Sequence, residues 1–213
     1  TLDAVRYTLA AIPALGAGTD VRLVPATPAP PGTVREVAFE KSLQSAISIA
    51  IPTIHRSHPD YIPLRLTVMA LGGYFGSRLM TNIREEKGLT YGINAALLGE
   101  LQGSFIGISA KCDRRFTDTV LHEISEELRK LASDPPAGEE LERLRLYAST
   151  SLAKILDTPA GCMQYYQNIR FTGTPADYFR QQLRHIDALT PDVISEMAKK
   201  YLSSSYLTAI AGR

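Results

Sequence analysis

The spacing of apolar residues changes period several times along this chain, and each change marks an element. Residues 45–51 (SAISIAI) alternate apolar and polar, the pattern of a half-buried strand, and 34–40 (VREVAFE) is β-prone. Beyond a loop built on Pro52 and Pro59, Asp60 stands at an N-cap position. Ile62, Leu66 and Met69 beside Leu64, Val68 and Leu71 then make two adjoining stripes at helical spacing, which predicts a well-buried helix. Strands follow at 91–99 and 104–112, joined by a short turn at 100–103. Asp113 caps a helix that runs to about residue 133. Phe116, Val120, Ile124, Leu128 and Leu131 mark its inner face, and Glu126, Glu127, Arg129 and Lys130 its solvent face. Pro135 and Pro136 break the chain. A helical tract opening near 138–140 carries Leu141, Leu144, Tyr147, Leu152 and Ile155. It is interrupted at Pro159 and Gly161 and resumes with Met163, Tyr166 and Ile169. Residues 178–186 make a further short helix. Thr190-Pro191-Asp192 reads as an N-cap with Pro at N1 and acid in the first turn, ahead of buried Val193, Ile194, Met197 and Tyr201. A turn at 203–205 leads to a terminal strand at 206–211.

The order is two strands, a helix, two strands, several helices and one strand. Paired strands joined this briefly cannot be parallel, so the pattern predicts an α+β fold, an antiparallel sheet with helices packed on one face. The small residues Gly92, Ala95, Ala96, Gly107 and Ala110 suit a sheet surface that something else approaches closely. Residues 1–31 differ: Pro13, Pro25, Pro28, Pro30 and Pro31 read as a Pro-rich interdomain linker or tail, leaving 32–213 as a single domain. A first residue other than Met fits a processed or excised piece.

Composition narrows the function classes. With 213 residues, 45% hydrophobic and 21% charged, the chain has ordinary globular content, and a net charge of +1 gives no general attraction to nucleic acid or anionic membrane. No apolar run approaches membrane-spanning length and no signal peptide is visible, so a soluble protein, cytoplasmic or periplasmic, is expected. The two cysteines, Cys112 and Cys162, lie far apart in amphipathic contexts and read as buried thiols. His55 and His58 form an H-x-x-H pair in a loop with no neighbouring ligand pattern, and His122-Glu123 lacks the second His of a zinc-protease helix.

Residues 71–92, LGGYFGSRLMTNIREEKGLTYG, hold the most specific signal. Gly72, Gly73 and Gly76 free the backbone for positive φ and close approach by another chain. Ser77 stands as N-cap to a short helix carrying Leu79 and Ile83, Gly88 ends that helix, and Leu89, Thr90 and Tyr91 start a strand. Arg84 and Tyr91 leave the two sides of one turn, where their polar tips could meet one ligand.

SRL…IREEKGLTYG resembles the signature of the C-terminal, non-zinc domain of the pitrilysin, insulinase and mitochondrial processing peptidase family of zinc peptidases, ungapped over about twenty residues. The resemblance covers roughly residues 34–213 and agrees with the α+β reading. It implies that Arg84 and Tyr91 bind substrate main-chain carbonyls, Tyr91 as a transition-state donor, and that the Gly72, Gly73 and Gly76 loop touches the passing peptide. In the processing peptidase's non-catalytic subunit that loop is longer. The family's zinc motif H-x-x-E-H begins or ends at none of His55, His58, His122 or His185. No metal is therefore expected in this chain; zinc is expected in a catalytic half elsewhere, on the same polypeptide or on a partner subunit in a homo- or heterodimer. The expected function is the substrate-binding half of a zinc metalloendopeptidase, inert toward peptides alone. The alternative is an inactive scaffold or assembly subunit like the core proteins of the respiratory cytochrome bc1 complex.

Overall fold

The computed structural model describes residues 32–99, 103–203 and 206–212, with Asp3, Arg6, Ala29 and Pro30. The rest of the Pro-rich segment, most of the turn at 100–103 and part of the turn at 203–205 lie outside the described residues.

Alternation in the strands builds one mixed sheet of β1 (Val34–Val37), β2 (Gln44–Thr53), β3 (Thr90–Gly99), β4 (Ser104–Asp113) and β5 (Leu207–Ala211). The order across it is β1-β5-β2-β4-β3. β2, β3, β4 and β5 pair antiparallel as the short connections require. β1 does not pair with its sequence neighbour β2. It runs parallel to β5, with Val34 opposite Thr208, so the two ends of the domain close together at one edge.

Ile47, Ile49 and Ile51 of β2 point to the same face as Ile106 and Ile108 of β4, Ile93 and Ala95 of β3, and Ile210 of β5, all buried. On that face packs α1 (Tyr61–Gly72), against β3 and the later helices α5 (Tyr178–Asp187) and α6 (Pro191–Tyr201). α1 is buried nearly all round, as its double stripe predicts. Asp60 precedes it but does not cap it. Its carboxylate accepts from Lys200 Nζ (2.6 Å) and Tyr201 Oη (2.7 Å), tying the start of α1 to the end of α6.

Asp113 accepts from Arg115 N (2.9 Å) and so caps a 3-10 turn, Arg114–Phe116, which leads into α2 (Thr117–Ser133). Phe116 therefore sits in that turn, 38% exposed, instead of on the inner face. Val120, Ile124, Leu128 and Leu131 are buried as expected, but so is Glu127, assigned to solvent by its spacing. α3 (Gly138–Lys154) and α4 (Pro159–Thr172) follow, and Thr158 caps α4 through Gly161 N (3.0 Å). α4 buries no residue fully, and Met163 (57%) and Tyr166 (60%) are exposed. Thr190 caps α6 through Val193 N, as its sequence foretells. Cys112 is buried, whereas Cys162 is exposed, with Sγ 3.6 Å from the Leu156 carbonyl. No helix of the described residues is long and apolar enough to cross a membrane.

Candidate functional site: an open sheet face rimmed by Tyr91 and Arg84

With the helices on one face, the outward side chains of β2, β3, β4 and β5 are left uncovered by the described residues. Toward the Tyr91 end of the strands they are small or polar: Ala46, Ser48, Asn94, Ser109 and Ala209 are all exposed. Asn94 and Ser109 face each other across the strands, with Ser109 Oγ donating to Asn94 Oδ1 (2.6 Å). Together with Arg35, Val37, Met80 and Lys111 they line a concavity of about 810 Å³ that contains no carboxylate among its lining residues.

Tyr91 stands on the rim. The register of β3 against β4 slips between Thr90, opposite Cys112, and Gly92, opposite Lys111, so Tyr91 is the extra residue of a β-bulge. Bulges re-aim a side chain out of the ladder, and this one leaves Tyr91 92% exposed on the cavity wall. Thr90 holds the kink from inside, its hydroxyl within hydrogen-bond distance of the carbonyls of Gly92 (2.9 Å) and Lys111 (2.5 Å) and of Gly92 N (3.2 Å).

Arg84 lies on the segment before that bulge. Residues Met80–Glu86 form a π-helical turn, wider than the α-helix its apolar spacing predicts and of a kind frequent at functional sites. Gly88 ends it at φ 61°, and Leu89 N returns to the Ile83 carbonyl (2.9 Å), so the chain reverses straight into β3. The Arg84 guanidinium lies 5.2 Å from the centre of the Phe75 ring and makes no ion pair among the described residues, neither with Glu85 nor with Glu86. It is not among the residues lining the concavity, where Tyr91 is. Phe75, inside the glycine loop and 63% exposed, is a support the sequence reading did not single out.

Asn82 anchors the same turn to α2. Its Nδ2 donates to Glu127 Oε1 (2.8 Å) and Glu123 Oε2 (3.0 Å); Lys130 pairs with Glu127 (2.9 Å) and Lys87 with Glu123. The hydrogen bond from Lys87 is the chief cause that lowers the Glu123 carboxyl pKa; burial opposes it, and Asn82 adds a smaller lowering effect. Ser77 precedes the helical segment, but its buried hydroxyl caps nothing; its carbonyl accepts from Thr81 N (2.9 Å).

The glycines of the preceding loop take other places. None of Gly72, Gly73 and Gly76 has positive φ. Gly72 is buried, and a Cβ there would stand 2.5 Å from Ala95 N, so it lets α1 close onto β3. Gly73 ends α1, donating to Met69 O (2.9 Å), and Gly76 is exposed beside the Tyr74 ring.

Zinc finds no ligand set here. His58 Nδ1 accepts from Asp60 N (3.1 Å), His55 Nδ1 pairs with Ser57 Oγ (3.0 Å), and no three His, Cys, Asp or Glu of the described residues are grouped to hold a metal. These residues do not fit a zinc site.

Comparison with known proteins gives one consistent picture. The model for the peptidase M16 inactive domain matches residues 1–146. The match begins upstream of the start expected near residue 34 and stops within α3. The chain is 26% identical over 216 residues to an uncharacterized zinc protease of Streptomyces coelicolor, covering 98% of this chain and 47% of that protein. The chain thus spans about half the length of the curated relatives it matches. Its fold superposes on the peptidase M16 inactive domain from Pseudomonas fluorescens with a TM-score of 0.79 at 24% identity, covering 88% of this chain and 45% of that one. A protease from Helicobacter pylori gives a TM-score of 0.80 at 15% identity, covering 100% and 53%.

Proposed function

The chain belongs to the peptidase M16 inactive-domain family, and from that premise we propose that it is the substrate-binding, non-zinc half of a zinc metalloendopeptidase. An H-x-x-E-H domain, on the same polypeptide or on a partner subunit, supplies the metal and the general base. The observation that carries this reading is the placement of Tyr91, pushed out of the ladder by a bulge and exposed on the rim of an uncovered concavity with no carboxylate among its lining residues. A scaffold packed in an assembly has no chemical need for an unpartnered phenol at that place.

On this reading a peptide lies across the open face. Zinc held by the partner domain would supply the Lewis acid for attack; this chain's part would be to place the Tyr91 hydroxyl where it donates to the scissile carbonyl oxygen as negative charge develops there. Arg84, always charged and multiply donating, binds a neighbouring carbonyl and fixes the register of the peptide. Its stack on Phe75 restricts the guanidinium before substrate arrives.

The test joins this chain to the zinc-bearing domain of its own system and follows cleavage of a quenched fluorescent peptide. Tyr91→Phe removes one transition-state donor, so kcat/KM should fall by about 10²-fold or more. Melting should not change, because the hydroxyl has no partner among the described residues. Cleavage indifferent to Tyr91 would remove it from the catalytic machinery.

A further inference from the structure

On the opposite side of the molecule, beneath the helices, lies a pocket of about 360 Å³ that the peptidase reading does not use. Four helices and a loop meet there. Arg56 comes from the loop after β2, Arg65 from α1, Lys154 from the end of α3, Tyr165 from α4, and Tyr178 and Gln182 from α5. No carboxylate lines the pocket, and neither guanidinium nor the Lys154 ammonium forms an ion pair among the described residues.

The hydrogen-bonding account does not close. Arg56 binds Asn168 Oδ1, Arg65 binds Gln182 Oε1, and Gln182 in turn donates to Tyr165 Oη (2.5 Å). Arg56 Nε, Arg65 Nε and Tyr178 Oη are nonetheless all buried without a partner among the described residues, and Tyr178 is only 6% exposed. Buried polar groups in native proteins are almost always paired. Here the two unmade groups on arginine can only donate, and the phenol can donate as well. What is missing is an acceptor, and an anionic one, since concentrated positive charge in a partly desolvated pocket is costly without a counter-charge. Burial pushes the Tyr178 phenol up, while the Arg65 and Arg56 charges pull it the other way, so both charges reach this oxygen.

We propose that this pocket binds a phosphate-bearing ligand, held by the Arg56 and Arg65 guanidiniums and the Tyr178 hydroxyl, with Lys154 at the rim. Guanidinium forks match the oxygens of a phosphoryl group. Three cations suit a phosphate carrying nearly two negative charges better than a single carboxylate. The N-terminus of α4 adds positive potential, for Gly161 at its first turn also lines the pocket. Ile155 and Ile169 supply an apolar wall for the organic part of a phosphate ester.

The experiment measures melting and calorimetric binding for the full chain with inorganic phosphate, pyrophosphate or acetate, at an ionic strength held constant with sodium chloride. Phosphate and pyrophosphate should raise the melting temperature in a saturable way, and acetate should not. Lys154→Gln, an exposed change that leaves the core intact, should weaken binding several-fold, and Arg65→Gln at least tenfold. Tyr178→Phe should weaken binding while leaving the ligand-free protein as stable as before, because the hydroxyl has no partner to lose among the described residues. A melting shift shared by all three variants, or one that acetate or sodium chloride reproduces, would overturn the assignment, as would no shift at all.

Discussion

Asn82 offers the most direct test of how the Arg84-bearing turn is held. Its amide is 8% exposed and donates to two carboxylates of α2, at 2.8 Å to Glu127 and 3.0 Å to Glu123. The Glu127 side chain is 4% exposed and keeps only Lys130 once Asn82 is gone; Glu123, 15% exposed, keeps Lys87. Hydrogen bonds to charged groups are worth roughly 1.5–3 kcal/mol each. The more exposed Glu123 regains water and lies at the low end of that range, whereas Glu127 is left partly unpaired. Asn82→Ala should therefore destabilise the chain by about 2–4 kcal/mol. With a urea m-value of roughly 2–3 kcal/mol/M, the unfolding midpoint falls by about 0.7–2 M with the slope unchanged. Asn82→Asp keeps the shape but sets a third carboxylate against the other two. It should cost more than Ala at pH 7, since the like charges repel and the donor is lost. Urea unfolding followed by circular dichroism measures all three proteins. An Ala variant within about 1 kcal/mol of the parent, or an Asp variant as stable as Asn, would show that the network is not what anchors the turn.

Other outcomes follow from single sites. Gly72→Ala forces a Cβ to 2.5 Å from Ala95 N and 2.7 Å from Ala95 Cβ, an overpacking that should cost about 1–3 kcal/mol and lower the melting temperature, despite alanine's better helix propensity; a stabilised variant would contradict the close approach. Asp60 has its pKa lowered from 3.8, first by Lys200 and then by Tyr201. Its stabilisation is thus complete above the unfolded value and lost as pH falls through the folded one. Asp60→Asn should be less stable than the parent at neutral pH, with the gap closing below pH 3.8, and a gap that persists in acid would count against the pairing. Cys162 is exposed, while Cys112 is buried with its thiol pushed up by burial, so a thiol reagent should label the first at once and the second only in denaturant.

Most of the fold was legible because it rests on local periodicity. β2 and β4 alternate since one face is packed and the other is not, and Thr190 caps α6 as its position beside Pro191 foretells. What escaped depends on partners far along the chain. Glu127 looks like any solvent-facing acid on α2 until Asn82, 45 residues earlier, folds against it. β1 cannot announce a parallel pairing with a strand at the other end of the domain. Asp60 reads as a helix cap, yet the Lys200 ammonium, 140 residues on, offers it a charged donor instead. At the site, Arg84 and Tyr91 were legible as a spaced pair. The bulge that exposes Tyr91 was not, because a one-residue slip leaves no mark in a pattern of period two.

The glycines of 71–92 matter to this site by a different route from the one their flexibility suggests. Gly72, buried at the end of α1, lets that helix press on Ala95, and so fixes the level of β3, four residues beyond the Tyr91 bulge. Asn82 fixes the π-helical turn that carries Arg84, through α2 and not through the sheet. The two groups proposed to bind adjacent substrate carbonyls thus rest on two supports, α1 against β3 and the Asn82 network on α2, joined by the short reversal at Gly88, with its φ of 61°. Such a pair keeps its geometry only while both supports stay rigid, and a displacement of about 1 Å is enough to cost a positioned catalytic group 10²-fold. In the assembled peptidase, Asn82→Ala should therefore lower kcat/KM well below the fraction of protein that remains folded, although Asn82 touches no substrate. Activity that falls only in proportion to the folded fraction would make Asn82 a residue of stability alone.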